Sequence, residues 1–228
     1  MSQKAFFLVA LMGLALWNCN NAPQGEKAEA GEAVETTAAD NGSESEAITY
    51  SVDTESSVIN WQGAKLVGDR HVGTIAIQSG ELQVKGDQLV GGSFTLDMNS
   101  INDTDLEGKK KEKLETHLKS GDFFEVEKFP TGTFEIVAVD AVGDKPEATH
   151  EITGNLTLKD ITKSITIPAK VEFNERGIAA TTPQFTIDRT QWDVMFNASA
   201  LGTAKDKIIR DEVGLQIDLK AVQPEAVQ

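Results

Sequence analysis

From Ile48 to Ala221 the chain alternates apolar and polar residues with a period of two, interrupted at short intervals by Gly, Asn and Asp. A helix would scatter that pattern around its axis, whereas a strand collects it on one face of a sheet. Residues 58–67 form one such run, carrying Trp61. Residues 71–84 read as one long bent strand or two, broken at Ser79-Gly80, and Gly86-Asp87 is a hairpin turn. Beyond it Phe94, Leu96 and Met98 share one face, opposite Thr95 and Asp97. Phe134 and Ile136, then Ile152, Leu156 and Leu158, then Ile165, Ile167, Ala169, Val171 and Phe173 repeat the alternation; Phe185 with Ile187 and Val213 to Leu219 complete it. About eight antiparallel strands favour a closed barrel over a sandwich, because closure removes the sheet edges. A barrel of about eight strands is also wide enough to hold one small ligand. A sandwich of the same strands would show similar alternation, and the pattern does not say which face is inward.

One short helix interrupts the strands, expected over residues 105–118: Asp103, Thr104 and Asp105 offer caps, and Leu114 and Leu118 recur at helical spacing. Lys109-Lys110-Lys111 could touch an anionic lipid surface, but Glu107, Glu112 and Glu115 interleave with it, which favours a solvated helix face. The helix runs into His117-Leu118-Lys119-Ser120-Gly121-Asp122-Phe123-Phe124 and on to Phe129-Pro130, where proline forces an extended exit. Phe123 and Phe124 form an apolar plug, either a lid on a pore or filler between helix and barrel. Residues 188–207 make a long connection whose Trp192, Met195 and Phe196 argue against disorder.

The start of the chain has a different character. A basic opening, an unbroken apolar run over residues 5–17 and then Cys19, the single cysteine, read as a signal peptide of the bacterial lipoprotein kind, residues 1–18, with Cys19 as lipid anchor. Leu16, Trp17 and Asn18 stand where small residues are usual, so an ordinary secretion signal with an incidental cysteine is the alternative. The run is shorter than the ~20 residues of a membrane-spanning helix. Residues 19–47 are rich in Ala, Glu, Thr, Gly and Ser, nearly devoid of large apolar side chains, and read as a disordered acidic tether. The folded unit is then 48–221, with a tail over 222–228. A net charge of -15 excludes a nucleic-acid partner, which needs clustered Lys and Arg.

Trp61 through Gly73 with His71-Val72-Gly73-Thr74, Gly92-Ser93-Phe94 with Asp97-Met98-Asn99-Ser100-Ile101, the stretch from His117 to Pro130, Gly154-Asn155-Leu156-Thr157-Leu158, and Asp188-Arg189-Thr190-Gln191-Trp192 together resemble the YceI family. That resemblance implies an all-β fold, an extended eight-stranded antiparallel barrel like a lipocalin with one short helix. It also implies binding of polyisoprenoid or other long amphiphilic lipids in the bacterial periplasm. A carrier of this kind would line its pore with Phe94, Leu96, Met98, Phe134, Ile136, Ile165, Ile167, Phe185 and Trp192, and hold the head group with Arg70, His71 and Arg189 near strand ends. No cofactor is expected beyond the lipid itself. The partners are that lipid and a membrane reached through acylated Cys19, and homodimerisation stays open.

Catalysis has little support in these residues. The three histidines, His71, His117 and His150, lack the close spacing of a zinc motif, and no Gly-x-Ser-x-Gly elbow is present, so neither a catalytic set nor a metal site is expected. The rival to a carrier is a solid barrel that acts as an interaction or surface domain.

Overall fold

The computed structural model describes residues 21–35, 47–143, 147–174, 177–202 and 204–223. In chain order the elements are β1 (Glu26–Lys27), β2 (Gly31–Glu32), β3 (Ile48–Val52), β4 (Val58–Ala64), β5 (Arg70–Lys85), β6 (Gln88–Asp103) and α1 (Gly108–Lys119). They continue with β7 (Thr131–Ala141), β8 (His150–Leu158), β9 (Ile161–Asn174), β10 (Gly177–Thr181), β11 (Phe185–Asp188) and β12 (Glu212–Val222), with 3-10 turns at Arg189–Trp192 and Ser199–Leu201.

Eight strands form an antiparallel ring. Neighbours run β4, β5, β6, β7, β8, β9, β10, β12, and β12 returns to β4 with Leu215 opposite Trp61 and Ile217 opposite Ile59. β3 continues the position of β4 along β5, and β11 continues that of β10 along β12. The broken alternation at Ser79-Gly80 resolves as one sixteen-residue strand, β5, bent by register shifts between Thr74 and Ala76, Ile77 and Ser79, and Gln83 and Val84. Such bulges raise local twist and curvature, which a sheet needs in order to close.

The ring has one seam. β9 pairs with β10 only over residues 170–174, so the earlier part of β9 and the outer edge of β11 lack each other as partners. Residues 21–35 fill that gap as an extended strap: β1 runs parallel to β11, β2 antiparallel to β9, and the Ala28 amide donates to the Thr186 carbonyl at 2.8 Å. Ala28 is only 5% exposed, and the Asn155 amide group brackets Val34 with two hydrogen bonds, of 3.0 and 2.7 Å. The expectation of a disordered tether across 19–47 therefore differs from what residues 21–35 do. That segment needs no large apolar side chains because two strand edges supply partners for its backbone. Residues 36–46, the signal-peptide segment and Cys19 lie outside the described residues.

The helix also begins later than its candidate caps suggest. Glu107 occupies the N-cap without a side-chain bond, and Gly108, at φ +54°, turns the chain into α1. Asp103 and Asp105 are used one turn earlier. Asp103 Oδ1 accepts the amides of Asp105 and Leu106, while Asp105 Oδ1 accepts that of Val72, which ties the approach to α1 onto β5. The helix thus lies across one end of the barrel. Among the described residues no helix is long and apolar enough to cross a membrane.

Candidate functional site

The barrel encloses a cavity of about 1050 Å³. Small-molecule pockets generally run ~300–1,000 Å³, so this one accommodates an extended ligand. Phe94, Leu96, Met98, Phe134, Ile136, Ile165, Ile167 and Phe185 all line it, joined by Ile59, Trp61, Ile75 and Ile77 from β4 and β5. Side chains two apart on each strand point to one face, and the ring turns that face inward. Phe94 and Phe134 stack with their ring centres 6.4 Å apart. Trp192 does not belong to this wall. It is 0% exposed, and its indole N–H donates to the Leu156 carbonyl at 3.0 Å, so it is packing for the 3-10 turn rather than pore lining.

The charged lining residues gather at one end, formed by the β4–β5 hairpin, α1 with the segment after it, and the connection from Val194 to Arg210. Lys65, Arg70, Lys110, Lys113, Arg189, Lys207 and Arg210 supply seven cations there, against Asp69, Asp105 and Asp206. Phe123 and Phe124 line the same end, and Phe123 packs edge-on to His117 and beside Phe196, at 5.0 and 5.3 Å between ring centres. The plug is thus an aromatic collar at the mouth. His117 is held by Asp122, with Nε2 2.9 Å from the carboxylate.

Of the three head-group candidates, Arg70 and His71 stand at this mouth, but Arg189 is otherwise engaged. It is 4% exposed, and its guanidinium donates to the carbonyls of Arg210, Val194, Phe196 and Ile209. Burial pushes its pKa down, opposed by Asp211 and Asp188. Four carbonyls of the long connection take four of its five N–H donors, so Arg189, which also borders the cavity, serves chiefly as the clamp of that connection.

His71 Nδ1 lies 3.1 Å from Asp105 Oδ2 and 3.9 Å from Asp103 Oδ2, and these donor atoms all fall within 4.8 Å of one another. This is a donor set a divalent cation would accept, though each of the three residues already has a structural duty. Burial is the main cause pushing the Asp103 carboxyl up, and a hydrogen bond to Asp105 adds to it. Asp105 is held below the usual carboxylate range: burial raises it, but the Val72 amide, His71 and Asp103 together outweigh that. Asp103 Oδ2, Trp61 Nε1 and Arg210 Nε are buried with no hydrogen-bond partner among the described residues. An unmade bond of this kind costs about 1–3 kcal/mol.

Residues 50–221 match the YceI-like domain. The chain belongs to that family. Sequence relatives of this YceI-like chain include the UPF0312 protein of Pseudomonas aeruginosa strain LESB58, 43% identical over 89 residues that cover 35% of this chain and 44% of the relative. The protein YceI of Salmonella arizonae is 39% identical over 79 residues, 35% of this chain and 36% of the relative. The chain thus spans less than half the length of the curated relatives it matches. Among solved structures, BcnA of Burkholderia cenocepacia aligns with TM-score 0.58 at 20% identity, over 74% of this chain and 98% of BcnA. A polyisoprenoid binding domain from Saccharophagus degradans aligns with TM-score 0.55 at 15% identity, over 78% and 99%. At these identities the likeness establishes the fold, a YceI-like barrel of lipocalin type.

The mouth cations of this YceI-like barrel were the least legible part of the site. Lys110, Lys113, Leu114 and His117 follow i, i+3, i+4, i+7 spacing and share one helix face, which turns toward the opening. That spacing was the available signal, hidden by the acidic residues interleaved on the other faces. Arg210 and Lys207 had none, because only the folded connection brings them beside Arg70.

Proposed function

We propose that this protein is a carrier in the bacterial cell envelope that binds isoprenoid or other long-chain amphiphilic lipids, tail in the barrel and head group at the mouth. One observation carries the reading: an apolar cavity of about 1050 Å³ whose charged residues stand together at a single end. Enclosing hydrocarbon gains roughly 25 cal/mol per Å², near 0.8 kcal/mol for each methylene, so affinity grows with tail length until the lumen is filled. Arg70, His71, Lys110 and Arg210 then meet the head group. The solved domain from Saccharophagus degradans, described as polyisoprenoid binding, supports the isoprenoid class. The role is binding, not catalysis, and acylated Cys19 tethers the carrier to its membrane.

The test is purification of the full chain without detergent, followed by native mass spectrometry and organic extraction. A co-purified lipid released by solvent is the expected result. A barrel that emerges empty, and stays empty when offered polyprenyl lipids, overturns the carrier and favours an interaction domain. Membrane fractionation of Cys19→Ser tests the tether separately: release into the soluble fraction is expected, and an unchanged membrane fraction defeats the anchor.

A further inference from the structure

We propose that the rim of the cavity is a membrane-docking surface. In this arrangement Leu66 and Val67, at the tip of the β4–β5 hairpin, enter an anionic bilayer, and the surrounding cations engage lipid phosphates so that the mouth opens onto the membrane.

Val67 is 63% exposed, the most exposed of the large apolar residues described, and its neighbour Leu66 is 37% exposed. Single exposed apolar residues are ordinary, but an adjacent pair on a hairpin tip beside a ring of cations is not scattered at random. The tip is held in place. The Leu66 amide donates to the Ile208 carbonyl at 2.9 Å and the Lys65 amide to the Asp69 carbonyl at 2.9 Å, so the hairpin presents its two side chains on a fixed neck.

Charge decides between a bilayer and another acidic protein surface such as a second copy. The chain carries -15 overall, yet seven cations and three carboxylates line the mouth. A second copy of so acidic a chain repels most of this one, whereas an anionic leaflet is attracted to the rim alone and orients it. Each Lys or Arg brought near such a surface strengthens association roughly fivefold, and apolar insertion adds to that. The far end of the barrel exposes Ile48, Phe173 and Val222 as well, but there Lys170 is paired with Glu172 at 2.7 Å and Lys85 stands beside Asp87, so no surplus of cations gathers to meet an anionic leaflet.

The strap converges on the same place. Asn21 Nδ2 donates to the carbonyls of Lys65 and Gly68, at 3.2 and 2.7 Å, which pins the strap's first residues to the hairpin that carries Leu66 and Val67. Whatever holds the preceding residues to a membrane therefore holds the rim there too. The docking surface does not depend on what the lumen contains.

The experiment uses the full chain with Cys19→Ser, so that a single new cysteine carries an environment-sensitive NBD label. Val67→Cys places it on the tip, and Asp87→Cys places it on the β5–β6 hairpin at the opposite end. With vesicles of equal parts phosphatidylglycerol and phosphatidylethanolamine, the Val67 label shifts its emission to the blue and is quenched by lipid-borne quencher, while the Asp87 label stays aqueous. Like behaviour of the two labels overturns the orientation. Lys110→Glu with Lys113→Glu, or vesicles of phosphatidylcholine alone, reduces the tip signal severalfold; an undiminished signal removes the phosphate contacts. Lipid content after purification is measured on the same samples. Loss of lumen lipid with the tip signal intact counts against the carrier and leaves the docking surface standing.

Discussion

Gly154→Ala is the sharpest test of how the lumen is kept open. A methyl group at that position would sit 2.2 Å from Cζ of Phe134 and 2.7 Å from both Cε atoms. Ordinary carbon contact is ~3.5–4.0 Å, so the ring tip must retreat by roughly 1.3–1.8 Å. Phe134 lines the cavity, and leaving its recess carries it inward. Overpacking of this kind costs about 1–3 kcal/mol. Against it stands the gain from replacing a strand glycine, about 0.5–1 kcal/mol. The clash outweighs the gain, leaving a net loss of roughly 0.5–2 kcal/mol, which moves a urea midpoint down by some ~0.3–1 M at a slope near 2 kcal/mol/M. Lipid retained per barrel, read by native mass spectrometry, falls alongside. Adding Phe134→Leu to Gly154→Ala shortens the obstructing side chain and restores both measurements in part. If Gly154→Ala alone matches or exceeds the parent in stability and in lipid content, the recess is not what holds the ring off the lumen.

Ile136→Asp puts a carboxylate on the wall and should abolish lipid retention while reducing folded yield far less; equal loss of both would make Ile136 ordinary core. Ala28→Asp should undock the strap, and limited proteolysis would then cut within residues 21–35 while the barrel resists; an unchanged digest refutes seam closure by the strap. Arg189→Met strands four carbonyls and should cost about 3 kcal/mol or more by chemical denaturation, whereas a near-neutral result would mean the connection holds without its clamp. Burial pushes His150 below its ordinary 6.5, so the unfolded chain takes up the proton first. Stability is kept above 6.5 and falls as pH drops toward the depressed folded value. Denaturation across that range should show His150→Gln losing less than the parent, and parallel curves would sink the assignment.

The wall was readable because period two survives folding: once the ring closes, Phe94, Leu96 and Met98, or Ile165 and Ile167, share the lumen with nothing further to specify. Trp192 was misplaced because it lies in a 3-10 turn, where no alternation exists to say which way a ring points. Arg189 looked like a head-group residue by its place at a strand end, but its carbonyl partners lie five to twenty-one residues away on an irregular path. The strap escaped for another reason. Composition measures what side chains can bury, and residues 21–35 are held chiefly by backbone pairing to edges that exist only once β9 and β11 are in place.

Hollowness itself has a local cause that extends beyond Gly154. Trp61 stands opposite Gly73 across β4 and β5, and a methyl on Gly73 would meet the Asn102 carbonyl oxygen at 2.0 Å and the ring's Cζ2 at 2.5 Å. Phe94 stands opposite Gly80 across β5 and β6, where a methyl would meet Cδ1 at 2.7 Å. With Phe134 over Gly154, three of the large rings lining the cavity lean into spaces left by glycine. A glycine within a strand usually weakens it, and its presence marks close approach of another group. Here the approaching group is an aromatic ring laid along the wall, which covers the bare backbone and keeps its own bulk out of the axis. The same rings set against side chains of ordinary size would project farther toward the axis and leave less of the lumen open.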